Sequence, residues 1–387
     1  MISAGNSASS VGDTYDTPWE RAPDIYRILY KSLFQTLETS YQTLRSSWDG
    51  VKKDVKIVTD LSSANGNRGP ALLTVANMVV VKEQLDSLQA QGVDGVALQL
   101  QYPLTMAWFT NFALYRQFYI DVAVEIRARN MTFFCESSPV FAGTAFSGVP
   151  PIDYSGLTNQ QYFDERGSVC DWIADNVVPD YLSLTHEPGT EAYLTDKTFT
   201  ANEFIAFVND TLTLIGLGTG VLFGAGSGAW TATGPYFVNR YATETNVDWI
   251  NVHMYPVVGT PDPFSNLATM ATVAANNGLQ VFIGESSLYK IGAGEGAVAA
   301  GGYYYRDVFE SFAPLDVRFA QTLAVFAHLY NLLGICFFWP NPMNAYLQWT
   351  ADREAAPTTL AAELNVKAYA ARLAGEMTTY GHIMKSL

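Results

Sequence analysis

The chain has 387 residues, with 22 basic and 37 acidic side chains and a formal charge of −15. Hydrophobic residues make up 49% of the sequence, so there is ample material for a buried core, and a disordered or low-complexity chain is excluded. The acidic balance, with Lys and Arg scattered along the chain, argues against nucleic-acid binding and against docking on anionic membranes.

An arm and one helix are expected ahead of the main fold. The first 20 residues contain neither Lys nor Arg and no continuous apolar stretch, so no signal peptide is predicted, and the compartment stays open between cytoplasmic and secreted. From Asp24 to about Trp48, apolar residues recur at helical spacing. We therefore assign residues 1–50 to an arm and a helix that packs on the main fold, and residues 51–387 to the main domain.

Eight short β-branched or aromatic runs alternate with longer helical patterns along the main domain. Most runs are apolar throughout, as expected of parallel strands covered on both faces. The predicted strands are Lys56–Thr59, Gly95–Gln99, Met131–Cys135, Tyr181–Thr185, Val221–Gly224, Trp249–His253, Val281–Gly284 and Ile335–Trp339. Eight strand–helix units without a composition break predict an α/β fold, a single closed (β/α)8 TIM barrel. A nucleotide-binding doubly wound sheet typically has a Gly-rich phosphate loop after its first strand. This chain has Asp60-Leu61-Ser62-Ser63 there, which argues against that fold.

Long irregular segments follow predicted strands three, five, six and seven. In a barrel they belong to the C-terminal rim, where active sites are built. They are Ser137–Gly156, Ala225–Gly234, Pro256–Phe264 and Ser286–Gly302. The glycines of Ile291–Gly302 miss the spacing of a dinucleotide-binding loop, which favours a flexible rim loop.

Two glutamates stand at the ends of predicted strands four and seven, Glu187 after Tyr181–Thr185 and Glu285 after Val281–Gly284. A carboxylate there points into the barrel mouth, where partial burial is unfavourable without a partner. Two facing carboxylates suit cleavage of a glycosidic bond, because a neutral one protonates the leaving oxygen and an ionised one attacks the anomeric carbon. A gap of ~5–5.5 Å between them gives double displacement with retention of configuration.

The residues around these glutamates resemble a known family. His186-Glu187-Pro188 and Gly284-Glu285-Ser286 are similar to the acid/base and nucleophile motifs of the clan-A retaining glycoside hydrolases. That clan consists of (β/α)8 barrels and includes cellulases, β-mannanases, galactanases and β-glucosidases. The resemblance covers residues 56 to about 345. It implies that Glu187 is the acid/base and Glu285 the nucleophile.

Two further positions carry the resemblance. His253-Met254-Tyr255 is similar to the His-x-Tyr of the clan, which implies that Tyr255 hydrogen-bonds the nucleophile and that His253 lines the sugar site. Trp339 matches a tryptophan platform under the scissile sugar. Most members have an Asn that binds the sugar 2-hydroxyl at the position of His186. The mannanase-type branch has a histidine there, as this chain does. No early strand end carries the Arg that several branches place beneath the nucleophile.

Other rim residues are candidate substrate contacts. Asp60 and Glu136, at the ends of strands one and three, are predicted either to hydrogen-bond substrate or to support the residues that do. Gln99 and Tyr102, after strand two, are interpreted as contacts to a sugar hydroxyl and a sugar face, or as packing. Trp230, in the fifth loop, is predicted to be an exposed sugar platform or a plug for the loop.

The sequence favours a retaining β-glycoside hydrolase without cofactor or metal, acting on a neutral poly- or oligosaccharide, since the net charge would repel a polyanion. A divalent-metal-dependent barrel, a sugar isomerase or lyase, is the main alternative. Its candidate ligands are Asp60, Glu136, Glu187, His253 and Glu285. It leaves Tyr255 and Trp339 without a role, and no His-x-His ends the first strand. A non-catalytic carbohydrate-binding barrel is the third possibility, although a binder does not need two facing carboxylates.

Overall fold

A closed barrel of eight parallel strands forms the centre of the molecule. The computed structural model describes residues 18–216, 218–255, 262–291 and 306–387. The strands are β1 Lys56–Asp60, β2 Gly95–Gln99, β3 Thr132–Glu136, β4 Tyr181–Thr185, β5 Leu222–Gly228, β6 Trp249–Met254, β7 Gln280–Ser286 and β8 Gly334–Phe337. Each strand pairs with its neighbours in sequence, and β8 closes the barrel on β1. The predicted single (β/α)8 barrel is confirmed.

Helices surround the barrel and extend beyond it at both ends of the chain. They are α1 Arg27–Ser47, α2 Val75–Ala90, α3 Phe112–Ala128, α4 Asn159–Trp172, α5 Pro188–Thr195, α6 Ala201–Ile215, α7 Gly234–Glu244, α8 Pro263–Asn276, α9 Ala313–Tyr330, α10 Ala351–Ala355, α11 Pro357–Leu373 and α12 Thr379–Ser386. Capping boxes begin α4 and α6, because Thr158 and Thr200 each exchange hydrogen bonds with the residue three positions later. Within the described ranges, no helix combines the length and the apolar character needed to cross a bilayer.

The predicted N-terminal helix is present as α1 and packs against α9. Tyr30 stacks on Phe312 at 5.8 Å between ring centroids. Arg318 Nε lies 3.0 Å from Glu38 Oε2. The helix begins at Arg27 rather than Asp24, because a short 3-10 turn over Asp24–Tyr26 precedes it. Residues 1–17 of the predicted arm lie outside the described residues.

The barrel interior has an apolar layer beneath a polar one. The apolar layer is a cluster of buried residues: Val58, Ala97, Phe134, Trp249, Phe282, Cys336 and Phe338. Side chains of a strand alternate between its two faces, so the residue two positions further along also points inward. On β1, β2, β3 and β6 those residues are Asp60, Gln99, Glu136 and Asn251. The strand pattern therefore sets polar side chains directly above an apolar floor, at the C-terminal end of the barrel.

Strand β7 is irregular where it carries Glu285. Val252 pairs with Ile283, but His253 pairs with Glu285, so Gly284 is an extra residue that makes a bulge. A Cβ at position 284 would overlap Asn251 Oδ1 and Glu136 Oε1, so a side chain does not fit there. The predicted strand ended at Gly284, whereas β7 continues to Ser286 and contains Glu285.

The last predicted strand is shorter than expected. It was predicted to run to Trp339, whereas β8 ends at Phe337. Trp339 has a φ of +63°, in the left-handed region, which ends the extended backbone and turns the chain toward the C-terminal helices. Helix α11 then contacts α2 near the rim, where the Tyr369 hydroxyl donates a hydrogen bond to Glu83.

Candidate active site

A cavity of about 1380 Å³ opens at the C-terminal end of the barrel strands. The predicted site residues that line it are Asp60, Gln99, His186, Glu187, Trp230, Tyr255, Glu285 and Trp339. The strand order brings these residues together from seven parts of the chain. Three other predicted site residues, Tyr102, Glu136 and His253, are fully buried and lie outside the lining.

Glu187 and Glu285 meet at the imidazole of His253. His253 Nδ1 lies 2.7 Å from Glu187 Oε1 and 3.3 Å from Glu285 Oε2. These atoms all lie within 4.8 Å of one another, so the two carboxylates face each other across a short gap. Both remain accessible from the cavity, with 15% of the Glu187 side chain and 12% of the Glu285 side chain exposed.

Side chains from β2 and from the end of β6 hold Glu285 in place. The Tyr255 hydroxyl donates a hydrogen bond to Oε2, as the resemblance implied. Gln99 Nε2 donates to Oε1 at 3.0 Å. Tyr255 is itself fixed by stacking on Tyr289, at 4.7 Å between ring centroids. With both oxygens occupied, the Glu285 carboxylate has a defined orientation toward the cavity.

Glu136 lies beneath this pair and acts as its support. Its carboxylate accepts hydrogen bonds from Gln99 Nε2 and from Asn251 Nδ2, the latter at 2.6 Å, and lies 3.0 Å from His253 Nε2. Burial favours the neutral carboxyl, but the positive charge of His253 and these donors outweigh it and lower the pKa of Glu136 to about 2. Of the two roles predicted for Glu136, the geometry fits support rather than substrate contact, because the side chain is fully buried.

His253 is buried beneath the cavity and does not line it. Both ring nitrogens face carboxylates, Nδ1 toward Glu187 and Nε2 toward Glu136. Burial disfavours the charge, yet Glu285 and Glu136 outweigh that cost, so the pKa of His253 lies well above its usual value. The expectation that His253 lines the sugar site is therefore corrected, because its side chain is fully buried and lies outside the cavity lining.

His186 lines the cavity beside Glu187 and stacks on His253, at 4.5 Å between ring centroids. Burial lowers the pKa of His186 to about 4, so its ring is neutral at pH 7. Its Nδ1 atom is buried and makes no hydrogen bond to any described residue. The contact to a sugar hydroxyl that the resemblance implied stays a prediction, because the unpartnered Nδ1 atom is buried rather than exposed to the cavity.

The two catalytic candidates hold protons differently in this arrangement. Burial and the charges of Glu136 and Glu187 raise the pKa of Glu285 well above its usual value, and His253 and Tyr255 only partly offset them. Burial also favours a neutral Glu187, but His253 at 2.7 Å outweighs it, and the pKa of Glu187 is lowered. The sequence-based expectation was a neutral acid/base and an ionised nucleophile. The difference arises because His253 pairs more closely with Glu187 than with Glu285.

Three predicted rim residues border the cavity near its edges. Trp230 is half-buried and meets Tyr255 edge to face at 5.2 Å between ring centroids, and its role as a sugar platform stays a prediction. Trp339 is 39% exposed and lines the cavity beyond the end of β8. Asp60 is 1% exposed; within the described ranges no donor reaches its oxygen atoms in good hydrogen-bond geometry, although the nearby Asn65 side chain lowers its pKa.

Tyr102 packs in the protein rather than facing the substrate. The chain after β2 turns beneath the β3 loop, with Tyr102 N–H bonded to Ser138 O at 2.8 Å. The ring lies among Tyr154, Tyr162 and Trp108, and its hydroxyl donates to Glu165 at 2.7 Å. The interpretation as a sugar-stacking residue is corrected in favour of packing.

Sequence reasoning missed several residues of the site. Asn251 supports Glu136 and also accepts the Gly284 N–H at 3.1 Å, which fixes the β7 bulge. It lies two residues before His253 on one strand, so the period-two pattern could have identified it. Thr190, whose hydroxyl donates to Glu187 at 2.5 Å, follows from no comparable pattern.

Two groups of donor atoms are close enough to surround a cation. One is Glu136, His186 and His253, and the other is Glu187, His253 and Glu285. Both depend on His253. A protonated imidazole has no lone pair for a metal, so a cation at either group would take the place of a proton on that ring.

Comparisons with solved structures show the same fold. A broad-specificity endoglucanase of glycoside hydrolase family 5, from an uncultured bacterium, aligns with a TM-score of 0.50 at 12% identity over 79% of this chain and 93% of its own. A family 5 protein from Bifidobacterium longum subsp. longum, in complex with Manβ1-4GlcNAc, aligns with a TM-score of 0.50 at 13% identity over 86% of this chain and 77% of its own. No protein-family model and no curated protein sequence matches the chain. At these identities the comparisons establish the barrel fold, as the resemblance implied.

Proposed function

We propose that the protein is a retaining β-glycoside hydrolase. The observation that carries this proposal is the pairing of Glu187 and Glu285 in one cavity, with oxygen atoms within 4.8 Å of each other. Retaining enzymes hold their two carboxyl groups ~5–5.5 Å apart, whereas inverting enzymes leave ~6.5–9.5 Å for a water molecule. The close approach therefore supports double displacement through a covalent intermediate.

In the first step, a Glu285 oxygen attacks the anomeric carbon while Glu187 gives its proton to the glycosidic oxygen. The bond between sugar and leaving group breaks as the ester bond to Glu285 forms. In the second step, Glu187 takes a proton from water, the water oxygen attacks the anomeric carbon, and the Glu285 carboxylate leaves. Tyr255 and Gln99 hold Glu285 in line for both steps, because each donates to one of its oxygens.

The reaction requires the proton to sit on Glu187 when the substrate is bound. His253 Nδ1 lies between the two carboxylates, at 2.7 Å from Glu187 and 3.3 Å from Glu285. It can give its proton to Glu187 and take the proton of Glu285, which leaves Glu285 ionised and His253 again positive. Sugar binding displaces water from the cavity and strengthens these interactions.

The cavity suits a substrate of several sugar units. Its volume of about 1380 Å³ exceeds the ~300–1,000 Å³ typical of small-molecule pockets. Trp230 and Trp339 border it and offer flat apolar faces to sugar rings. Of the structures that share the fold, one is an endoglucanase and another holds a β1-4 disaccharide, which favours a β-linked glycan backbone, itself neutral, for this chain.

The test is hydrolysis of aryl β-glycosides and of a polysaccharide panel by the purified chain, with and without EDTA. We expect turnover that EDTA does not change and a β-configured first product by NMR. Loss of turnover with EDTA would favour the metal-dependent alternative. Glycan binding without hydrolysis of any substrate would favour the carbohydrate-binding alternative.

A further inference from the structure

The cavity also contains two arginines that the proposed reaction does not use. Arg68 lies in the 3-10 turn Gly66–Leu73 after β1, and Arg372 lies in the last turn of α11. Both line the cavity that holds Glu187 and Glu285. Within the described parts of the chain, neither guanidinium makes a hydrogen bond or an ion pair, and Arg372 Nη1 is buried without a partner.

Unpaired arginines are unusual in this chain, which has 37 acidic side chains. Other arginines of the described residues meet carboxylates, at distances from 2.6 to 3.0 Å: Arg129 with Asp86, Arg166 with Glu191, Arg240 with Glu244, Arg318 with Glu38 and Arg353 with Glu363. Arg68 and Arg372 have no carboxylate partner of this kind. Among the described residues, Arg21 and Arg45 also make no hydrogen bond or ion pair, but both lie outside the cavity, and Arg45 packs over the ring of Trp48.

Leaving Arg372 unpaired is energetically costly because its Nη1 atom is buried, whereas Arg68 is more exposed to solvent. Burial lowers the pKa of Arg372 and of Arg68, which means that the surroundings disfavour their charge. Asp60 attracts Arg68 electrostatically, but the Asp60 oxygens accept no hydrogen bond from it. A charged group that is partly removed from water requires an oppositely charged or hydrogen-bonding partner. The cavity itself is the open direction from which such a partner can come.

Both arginines are carried by backbone that is held in place. The turn of Arg68 is tied to the β3 loop, because Asn67 O accepts the Gly148 N–H at 2.7 Å and Asn67 Oδ1 accepts the Phe141 N–H at 2.8 Å. Helix α11 is tied to the segment after β8 by the bond from Asn341 Nδ2 to Asn365 Oδ1, at 2.6 Å. The backbone that carries the two arginines is therefore positioned before any ligand arrives, which lowers the entropic cost of binding.

We propose that Arg68 and Arg372 form a subsite for an anionic substituent on the sugar substrate, either the carboxylate of a uronic acid or a sulfate ester. The proposal rests on the proposed function for its carbohydrate ligand. A guanidinium presents a planar fork of donors that matches such oxyanions. The net charge of −15 repels polyanions at long range, but screening over ~8–10 Å leaves the local contacts to decide. The substrate is then a largely neutral glycan with isolated acidic groups.

The test compares three methyl glycosides that differ at one position: methyl β-D-glucoside, methyl β-D-glucuronide and methyl β-D-glucoside 6-sulfate. Dissociation constants are measured by ligand-observed NMR on the full chain. We expect at least one anionic form to bind roughly tenfold more tightly than the neutral form, as hydrogen bonds to charged groups give. The tighter of the two anionic forms identifies the substituent.

Three variants of the cavity arginines and one control variant, all in the full chain, then assign the preference. Arg68→Gln and Arg372→Gln should each reduce it by at least about threefold, and Arg372→Lys should restore part of it by keeping the charge. Arg21→Gln removes the same charge outside the cavity and should leave it unchanged. Equal binding of all three glycosides, binding of none, or an equal loss in Arg21→Gln would overturn the proposal.

These outcomes are separable from the proposed function. A chain that hydrolyses aryl β-glycosides but binds the three methyl glycosides equally loses the anionic subsite alone. A chain with an arginine-dependent preference but no hydrolysis keeps the subsite and loses the proposed reaction.

Discussion

The two sides of the barrel mouth differ in how their charged groups are satisfied. On the side of β2, β3, β6 and β7, Glu136 and Glu285 each accept hydrogen bonds from side chains of other strands. On the side of β1 and α11, Asp60 and Arg372 have buried polar atoms without partners among the described residues. We call the first side the complete side, because its charged groups have hydrogen-bond partners within the protein. We call the second the incomplete side, because its buried polar atoms lack such partners. In our two proposals, the nucleophile belongs to the first side and the recognition of a substituent to the second.

Replacing the nucleophile tests the complete side most strongly. Glu285→Ala removes the group that forms the covalent intermediate, so we expect kcat to fall by at least about 10⁴-fold on an aryl β-glycoside. Glu20→Ala, an exposed glutamate outside the cavity, is the matched control and should keep full activity. If Glu285→Ala retained a tenth of the activity, Glu285 would not be the nucleophile.

Replacing the acid/base should give a loss that depends on the leaving group. Glu187→Ala removes proton donation, so we expect a loss of about 10²–10⁴-fold on substrates with poor leaving groups and a smaller one where the leaving group needs no proton. Azide should restore turnover and yield a β-glycosyl azide, measured by NMR of the product. An α-azide would instead indicate inversion at the anomeric carbon.

The sequence predicted the complete side better than the incomplete one, for a physical reason. Residues such as Glu136 and Glu285 end or interrupt apolar strands, and parallel strands in a barrel bring their C-terminal ends together. Strand periodicity therefore locates such residues without any knowledge of tertiary contacts. The protonation pattern was not predictable, because it depends on the 2.7 Å and 3.3 Å distances from His253 to the two carboxylates.

The incomplete side could not be found in the same way. Arg68 lies in a 3-10 turn, and Arg372 comes from a helix after the last strand, more than 300 residues later in the chain. No periodicity links two such positions. Tyr102 shows the same limit, because its place after β2 suggested a rim contact, whereas the turn that follows buries its ring.

The hydroxyl of Tyr255 gives a smaller and pH-dependent effect. Its hydrogen bond opposes the rise that burial and neighbouring charges impose on the pKa of Glu285. In Tyr255→Phe the pKa of Glu285 should rise further, so the acidic limb of kcat/KM should move to higher pH, and kcat should fall by about 10–100-fold. Tyr330→Phe, at the C-terminal end of α9 and outside the cavity, is the control and should leave the pH profile unchanged. An unshifted acidic limb in Tyr255→Phe would show that this hydrogen bond does not tune Glu285.

The last prediction concerns Asp60 and the stability of the fold rather than the rate of the reaction. Burial raises the pKa of Asp60 from 3.8 to about 7, so the folded state holds a proton that the unfolded chain releases near pH 4. Below pH 4 the Asp60 carboxyl is protonated in both the folded and the unfolded chain, so its ionisation does not affect the free energy of unfolding. As the pH rises from 4 to 7, the unfolded chain ionises first, and the free energy of unfolding falls progressively.

Asp60→Asn removes that penalty while keeping the size of the side chain. The variant should be more stable than the parent by about 2–4 kcal/mol at pH 8 and nearly equal to it at pH 4, measured by urea unfolding. Asp49→Asn, an exposed aspartate, should change neither value. A gain for Asp60→Asn that is equal at both pH values would mean that the benefit comes from packing. It would also mean that Asp60 is charged and satisfied in the folded protein, so that the β1 side of the mouth is complete without a ligand.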